Sequence, residues 1–309
     1  MISPESIFEK KFVLFDKSKI VSDIKENGFF HYKNAFKKEF TDTLIDEVKK
    51  NKFSVNKNWV TGVYSGGQYY VKHLLSCSKQ FYNLISNEII FDFCDLFFKK
   101  NYRLKAFRYY ETYSNHKMSW HTDNKISKKD EDDIYKEVPG IIFIIYLSDV
   151  DDGEFQFIKK SHKFSDVQAH NDYNNDYILN NYKKDIMSFK GEKGDLIIYD
   201  TYGIHRAKPV SSKRNFVRKS LFFQIDTDLN SAEPSLINPS YFLNLDKKSM
   251  DFFGFGLKNE SDTYPNTNVN MLPFKLFFSI FFKYIYYKLP RIIYNLLPKK
   301  LKLLIKKIL

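Results

Sequence analysis

A chain of 309 residues with 43% apolar side chains can fill one large core or two modest ones, which excludes a disordered protein. The longest uncharged apolar run, Val138–Ser148, falls short of the roughly 18 residues of a membrane span, and Met1–Lys11 has no secretory stretch. The +12 net charge is uneven: nine of the 49 Lys/Arg and none of the 37 Asp/Glu lie in 271–309, leaving 1–270 near neutral.

Residues 1–100 read as mostly helical. Thr41–Asn51 and Ser86–Lys100 each follow a hydroxyl cap and set apolar residues on one stripe. Gly28–His31 reads as a short strand between helices. From Arg103 to Asp226 the chain turns into short β-prone runs: Arg103–Tyr110, Ile141–Leu147, Glu154–Ile158, Asp195–Tyr199, Ile204–Val210 and Phe216–Ile225. Asp152-Gly153 suits a hairpin turn between two of them, and Val210–Asn215 another connection between antiparallel neighbours. Many short strands without alternating helices predict a sandwich or barrel. The polar stretch His170–Lys184 reads as an insertion or lid loop, and 227–270 as irregular. After Pro273, a Phe-, Tyr- and Lys-rich segment broken by Pro290 and Pro298 predicts two or three short amphipathic helices. The expected organisation is a domain over 1–235, a connector over 236–270 and a tail over 271–309. Two cysteines, Cys77 and Cys94, make neither a disulfide framework nor a thiolate metal site, which fits a reducing cytoplasm.

His121-Thr122-Asp123 carries the first chemical signal. In an extended chain, residues two apart point to the same side, so an imidazole and a carboxylate converge on one point. With one distant His this makes the 2-His-1-carboxylate face that holds non-haem Fe(II) and leaves positions open. The spacing alone is weak, because His170-Asn171-Asp172 repeats it inside the polar insertion, where it reads as a solvated loop. His205, after an apolar strand and a turn, is the expected third ligand. Arg218 and Ser220 alternate onto one face of the next strand, and a guanidinium beside a hydroxyl clamps a carboxylate, as 2-oxoglutarate requires. Arg108, Tyr110 and Trp120 are placed to line such a pocket or to fill the core. His162 reads as structural, His116 as loop, and His31 and His73 have no constellation around them. No Gly-x-Ser-x-Gly elbow or phosphate-binding Gly-rich loop is present.

The order His121-x-Asp123, Gly153-Glu-Phe-Gln-Phe-Ile-Lys-Lys-Ser161-His162-Lys163, Gly194-Asp195, His205, Arg218 resembles the phytanoyl-CoA dioxygenase family over about residues 20–226. Lys159-Lys160 stands where that family has Pro-Gly. The resemblance implies a mainly β protein with flanking helices, its core a double-stranded β-helix, or jelly roll. It implies Fe(II) on His121, Asp123 and His205, 2-oxoglutarate on Arg218 with Ser220 beside it, and O2 as co-reactant. Halogenating relatives carry Gly or Ala at the carboxylate position, so Asp123 points to hydroxylation or a related oxidation of a small metabolite, lipid or lipid-linked substrate. The alternative is a non-catalytic or cupin-like metal-binding jelly-roll protein acting at a membrane surface.

Nothing in the resemblance covers the tail. Its aromatics, nine cations and absence of acid suit a helix lying at an anionic membrane surface, which would hold the protein peripherally at the inner membrane face. The competing reading is that these helices pack on the jelly roll with solvated lysines. A near-neutral body without a reader motif argues against nucleic acid.

Overall fold

The computed structural model describes residues 3–52, 63–65, 67–114, 116–124, 127–130, 133–135, 138–164, 173–210, 216–229, 232–233, 235–242, 246–256, 274–298 and 301–302. They form two compact units, 1–260 and 261–309.

The first unit opens with helices α1 (Pro4–Ile7), α2 (Lys10–Val13) and α3 (Lys17–Asn27). Strand β1 (Phe29–Tyr32) and helix α4 (Lys38–Lys52) follow, then strands β2 (Val63–Ser65) and β3 (Gln68–Val71). Helices α5 (Leu74–Cys77), α6 (Lys79–Ile85) and α7 (Glu88–Phe98) complete the helical part. The expected caps shift slightly. Thr41 sits inside α4, its hydroxyl donating to the Lys38 carbonyl, and Asn87 rather than Ser86 caps α7 by accepting from the Ile89 N–H.

The β region comprises β4 (Arg103–Tyr113), β5 (Ser127–Asp130), β6 (Asp133–Tyr135), β7 (Gly140–Tyr146) and β8 (Val150–Ile158). After helix α8 (Asn175–Tyr182) come β9 (Ile186–Gly191), β10 (Leu196–Asp200), β11 (His205–Ala207) and β12 (Val217–Asp226). All pairings are antiparallel. One sheet runs β1-β10-β7-β12-β4-β3-β2, a second β11-β8-β9, and β5 pairs with β6. This is the expected jelly-roll arrangement with flanking helices.

The period-2 pattern explains why β7 is apolar throughout. Ile141, Phe143 and Ile145 face the helical layer, where Phe143 stacks on Phe223 of β12 at 4.3 Å. Ile142 and Tyr146 face the other way, toward Phe155 and Phe157 of β8. A strand buried on both faces needs no polar alternation.

Several local expectations are corrected. Asp152-Gly153 is not a hairpin turn: it lies within β8, with Gly153 at φ 62°, where the register to β9 shifts. β7 and β8 belong to different sheets, so this stretch is a bulged corner. β11 and β12 likewise lie in different sheets and are not antiparallel neighbours; residues 211–215 between them fall outside the described residues. Residues 175–182 form helix α8 instead of a loop, capped by Asn174, with Ile178 buried against Trp120. Helix α9 (Lys247–Phe253) interrupts the stretch read as irregular, and its Phe252 joins the core of the helical layer. His170-Asn171-Asp172 lies outside the described residues.

Among the described residues of the second unit, helix α10 (Phe274–Leu296) runs through Pro290, where a break between short helices was expected, and Leu301 and Lys302 are again helical beyond Pro298. Proline deprives a helix of one backbone bond and bends it, but long flanking segments carry it across. Residues 303–309 fall outside the described residues.

Candidate metal centre

Two irregular segments, one after β4 and one between β10 and β11, bring the predicted ligands together. His121 and His205 exchange both backbone hydrogen bonds, at 3.0 and 2.9 Å, as an isolated antiparallel bridge. Their rings therefore lie side by side, with centroids 4.3 Å apart. The Asp123 and Asn124 N–H groups both donate to the Thr201 carbonyl, and the Asn124 amide donates to Thr201 Oγ1 and the Val138 carbonyl. This pins the His-x-Asp segment to the β10–β11 turn. One ligand atom from each of His121, Asp123 and His205 lies within 4.8 Å of the others.

The chemistry of this donor set fits a divalent metal. His121 Nδ1 lies 2.9 Å from the Ser119 carbonyl and His205 Nδ1 2.9 Å from that of Gly203, so each Nδ1 carries a proton and each Nε2 offers its lone pair. Burial pushes the Asp123 carboxyl up, but the interaction with the His205 ring at 3.2 Å, then His121 and the Tyr199 hydroxyl, outweigh it and hold it at about 2. A carboxylate kept ionised is ready to ligate. Tyr199, which the sequence reading passed over, places its hydroxyl 3.2 Å from both Asp123 Oδ2 and His205 Nε2.

These groups border a cavity of about 160 Å³ that also contains Arg218 and Ser220. One water needs about 10–15 Å³ on this measure, so the space suits an organic molecule. Arg218 reaches it from the opposite sheet. It is 7% exposed; its Nη1 donates to the Gly153 carbonyl and its Nη2 to Thr112 Oγ1 at 3.4 Å. Gly153 is thus the bulge whose carbonyl orients the guanidinium. Burial lowers the Arg218 pKa, opposed by Tyr146 and Glu154. Among the described residues its buried Nε has no hydrogen-bond partner. An orphaned donor on a buried cation, beside the Ser220 hydroxyl, fits the distal carboxylate of 2-oxoglutarate.

Arg108 and Tyr110 line the same cavity from β4, whereas Trp120 does not: it is fully buried under the Arg206 guanidinium, 4.3 Å from its ring centre. None of the cavity's lining residues comes from 173–184, so the described part of the expected lid packs behind the ligands instead. His162 is structural, its Nε2 meeting the Lys25 carbonyl at the end of α3. His116 is a buried loop residue, His31 contacts Asp195 at 3.4 Å, and His73 Nδ1 accepts from the Leu236 N–H.

Residues 70–220 match the model of the phytanoyl-CoA dioxygenase (PhyH) family, which the motif order resembles. No curated protein matches the sequence. Among solved structures, HygX from Streptomyces hygroscopicus, with nickel, 2-oxoglutarate and hygromycin B bound, is similar with a TM-score of 0.52. It is 14% identical over 68% of this chain and 87% of that one. The non-heme alpha ketoglutarate dependent carbocyclase SnoK from nogalamycin biosynthesis is similar with a TM-score of 0.50, at 13% identity over 70% and 85%. Identities this low establish a shared fold. The family match over 70–220 and the shared fold agree with the motif order in the sequence.

Proposed function

We propose that this chain, with its phytanoyl-CoA dioxygenase match over 70–220, is a 2-oxoglutarate-dependent dioxygenase that hydroxylates an aliphatic C–H bond. The observation that carries this reading is the convergence of His121, Asp123 and His205 on a cavity that holds the buried, partly unpartnered guanidinium of Arg218. Those three residues would hold Fe(II), which supplies, when bound, the coupling of O2 reduction and 2-oxoglutarate decarboxylation to C–H oxidation.

The remaining roles belong to the chain itself. Arg218 and Ser220 bind the distal carboxylate of 2-oxoglutarate, with Thr112 and Gly153 aiming the guanidinium. Its burial excludes water and strengthens the charge pairing. Met118, Ile144, Phe155, Ala207 and Phe222 give the cavity apolar walls for a hydrocarbon segment. Gln68, Arg108 and Tyr110 offer polar contacts that fix its orientation. The substrate is a small metabolite, a lipid or a lipid-linked intermediate. The reading assigns catalysis to residues 1–235 and attachment to 271–309.

Succinate release from 2-oxoglutarate, dependent on Fe(II) and O2, is the test. Asp123→Ala abolishes it. Arg218→Leu raises the 2-oxoglutarate concentration required by about 30-fold or more, because a buried charge loses its partner. Full activity in the first variant removes the ligand assignment. An unchanged requirement in the second removes Arg218 from the cosubstrate site, and no succinate release from the wild-type protein favours a cupin-like metal protein that does not use the cosubstrate.

A further inference from the structure

The C-terminal unit carries chemistry that the oxygenase site does not use. α10 is 23 residues long. At 3.6 residues per turn, Phe278, Phe281, Phe282, Ile285, Leu289, Ile292 and Leu296 fall within an arc of about 100°. None of the helix's four Lys/Arg falls within it. Residues of the stripe are exposed, Phe282 at 61%, Leu289 47%, Ile292 49% and Leu296 80%. A water-soluble helix with such a stripe would bury it.

A span of about 35 Å would be long enough to cross a bilayer. Cations recurring along its length oppose that course, and among the described residues no helix is long and apolar enough to cross a membrane. The charge selects the surface. Residues 271–309 hold nine Lys/Arg and no Asp/Glu, so every ionic side chain of the segment is attracted to lipid phosphates.

We propose that α10 lies in the interfacial plane of an anionic membrane leaflet. The Phe–Ile–Leu stripe enters the acyl boundary, and Lys283, Lys288 and Lys302 meet the headgroups. The oxygenase unit is thereby held at a surface that offers lipid or lipid-linked substrates. The inference goes beyond the oxygenase reading and does not rest on it.

Sedimentation of the full-length protein with vesicles tests it, using phosphatidylglycerol–phosphatidylcholine mixtures against phosphatidylcholine alone. The expected result is at least tenfold stronger binding to the anionic vesicles, weakened by salt. Phe282→Glu with Leu289→Glu should abolish that binding while leaving the melting temperature unchanged. Three results overturn the proposal: no binding to anionic vesicles, equal binding to both compositions, or a lower melting temperature in the double variant, which would place the stripe in a protein core. Retention of an oligonucleotide without vesicle binding also overturns it, in favour of a nucleic-acid tail. None of these readouts involves turnover, so failure here leaves the oxygenase reading standing, and failure there leaves this one.

Discussion

Tyr199 shares one hydroxyl between two of the three candidate ligands, 3.2 Å from Asp123 Oδ2 and 3.2 Å from His205 Nε2. Burial, followed by the charge of Asp123, raises its pKa far above that of an ordinary phenol, so it stays a neutral donor to the carboxylate. A donor on one carboxylate oxygen restricts the rotation of the carboxylate and so fixes how it is presented to a metal. Tyr199→Phe should therefore weaken Ni(II) or Co(II) binding about tenfold, the usual cost of losing a ligand's hydrogen-bond partner. Titration calorimetry on the metal-free protein measures it; an unchanged affinity would reduce Tyr199 to a packing residue. The residue was hidden in the sequence because it ends an apolar strand, Leu-Ile-Ile-Tyr-Asp, where a tyrosine reads as core. His121, Asp123, His205 and Arg218 were readable because each residue type is costly to bury without a purpose.

At the scale of elements, the turn between β10 and β11 sets the site, and Gly203 is its tightest point. A Cβ there would overlap the Phe157 ring of β8, and the Gly203 carbonyl accepts from His205 Nδ1. Gly203→Ala should push the turn away from β8, lowering stability by roughly 1–3 kcal/mol through overpacking and weakening metal binding with it. Thermal unfolding and Ni(II) titration read the two effects, and a variant that loses stability while keeping full affinity refutes the link to the ligand. Strands β1, β4, β7, β8, β10, β11 and β12 were legible to within a few residues, since alternation on β4 and β12 and the apolar run of β7 reflect burial directly, whereas the short β2, β3, β5 and β6 were not. Sheet membership was not. Asp152-Gly153 satisfies a hairpin turn and a bulged corner equally, because both need a residue at positive φ. β9 escaped notice because Met187 and Ser188 are exposed at an edge, leaving little alternation to read. A period of two says which side chains share a face, but not which of two facing sheets a strand joins. That is why Arg218, expected beside His205, reaches the same cavity from across the barrel.

Over the whole molecule, β12 buries a charge near each end: Arg218 in the cavity and Asp226 at the far end. Asp226 is fully buried, and burial pushes its carboxyl up to about 6 although Lys105 at 3.9 Å, the Asp228 N–H and Gln224 favour the charged form. An acid whose pKa is raised on folding binds its proton more tightly in the native state. Its contribution to stability is therefore complete below the unfolded value near 4 and is lost as pH rises through 6. The difference corresponds to up to about 3 kcal/mol of folding free energy withheld at pH 7–8. Asp195 works in the other direction. Burial raises its carboxyl, but His31 and the N–H groups of Asn34 and Glu192 outweigh that and lower it, so its contribution is lost on acidification. Asp226→Asn removes the first effect alone. It should raise the melting temperature by several degrees at pH 8, and the gain should shrink steadily to nothing by about pH 4, where the wild-type side chain is protonated. Melting curves of both proteins across this range decide the matter. A gain of equal size at pH 4 and pH 8 would mean that the introduced amide packs better for reasons unrelated to charge, and a loss at pH 8 would mean that the Lys105 pairing outweighs the burial of the carboxylate.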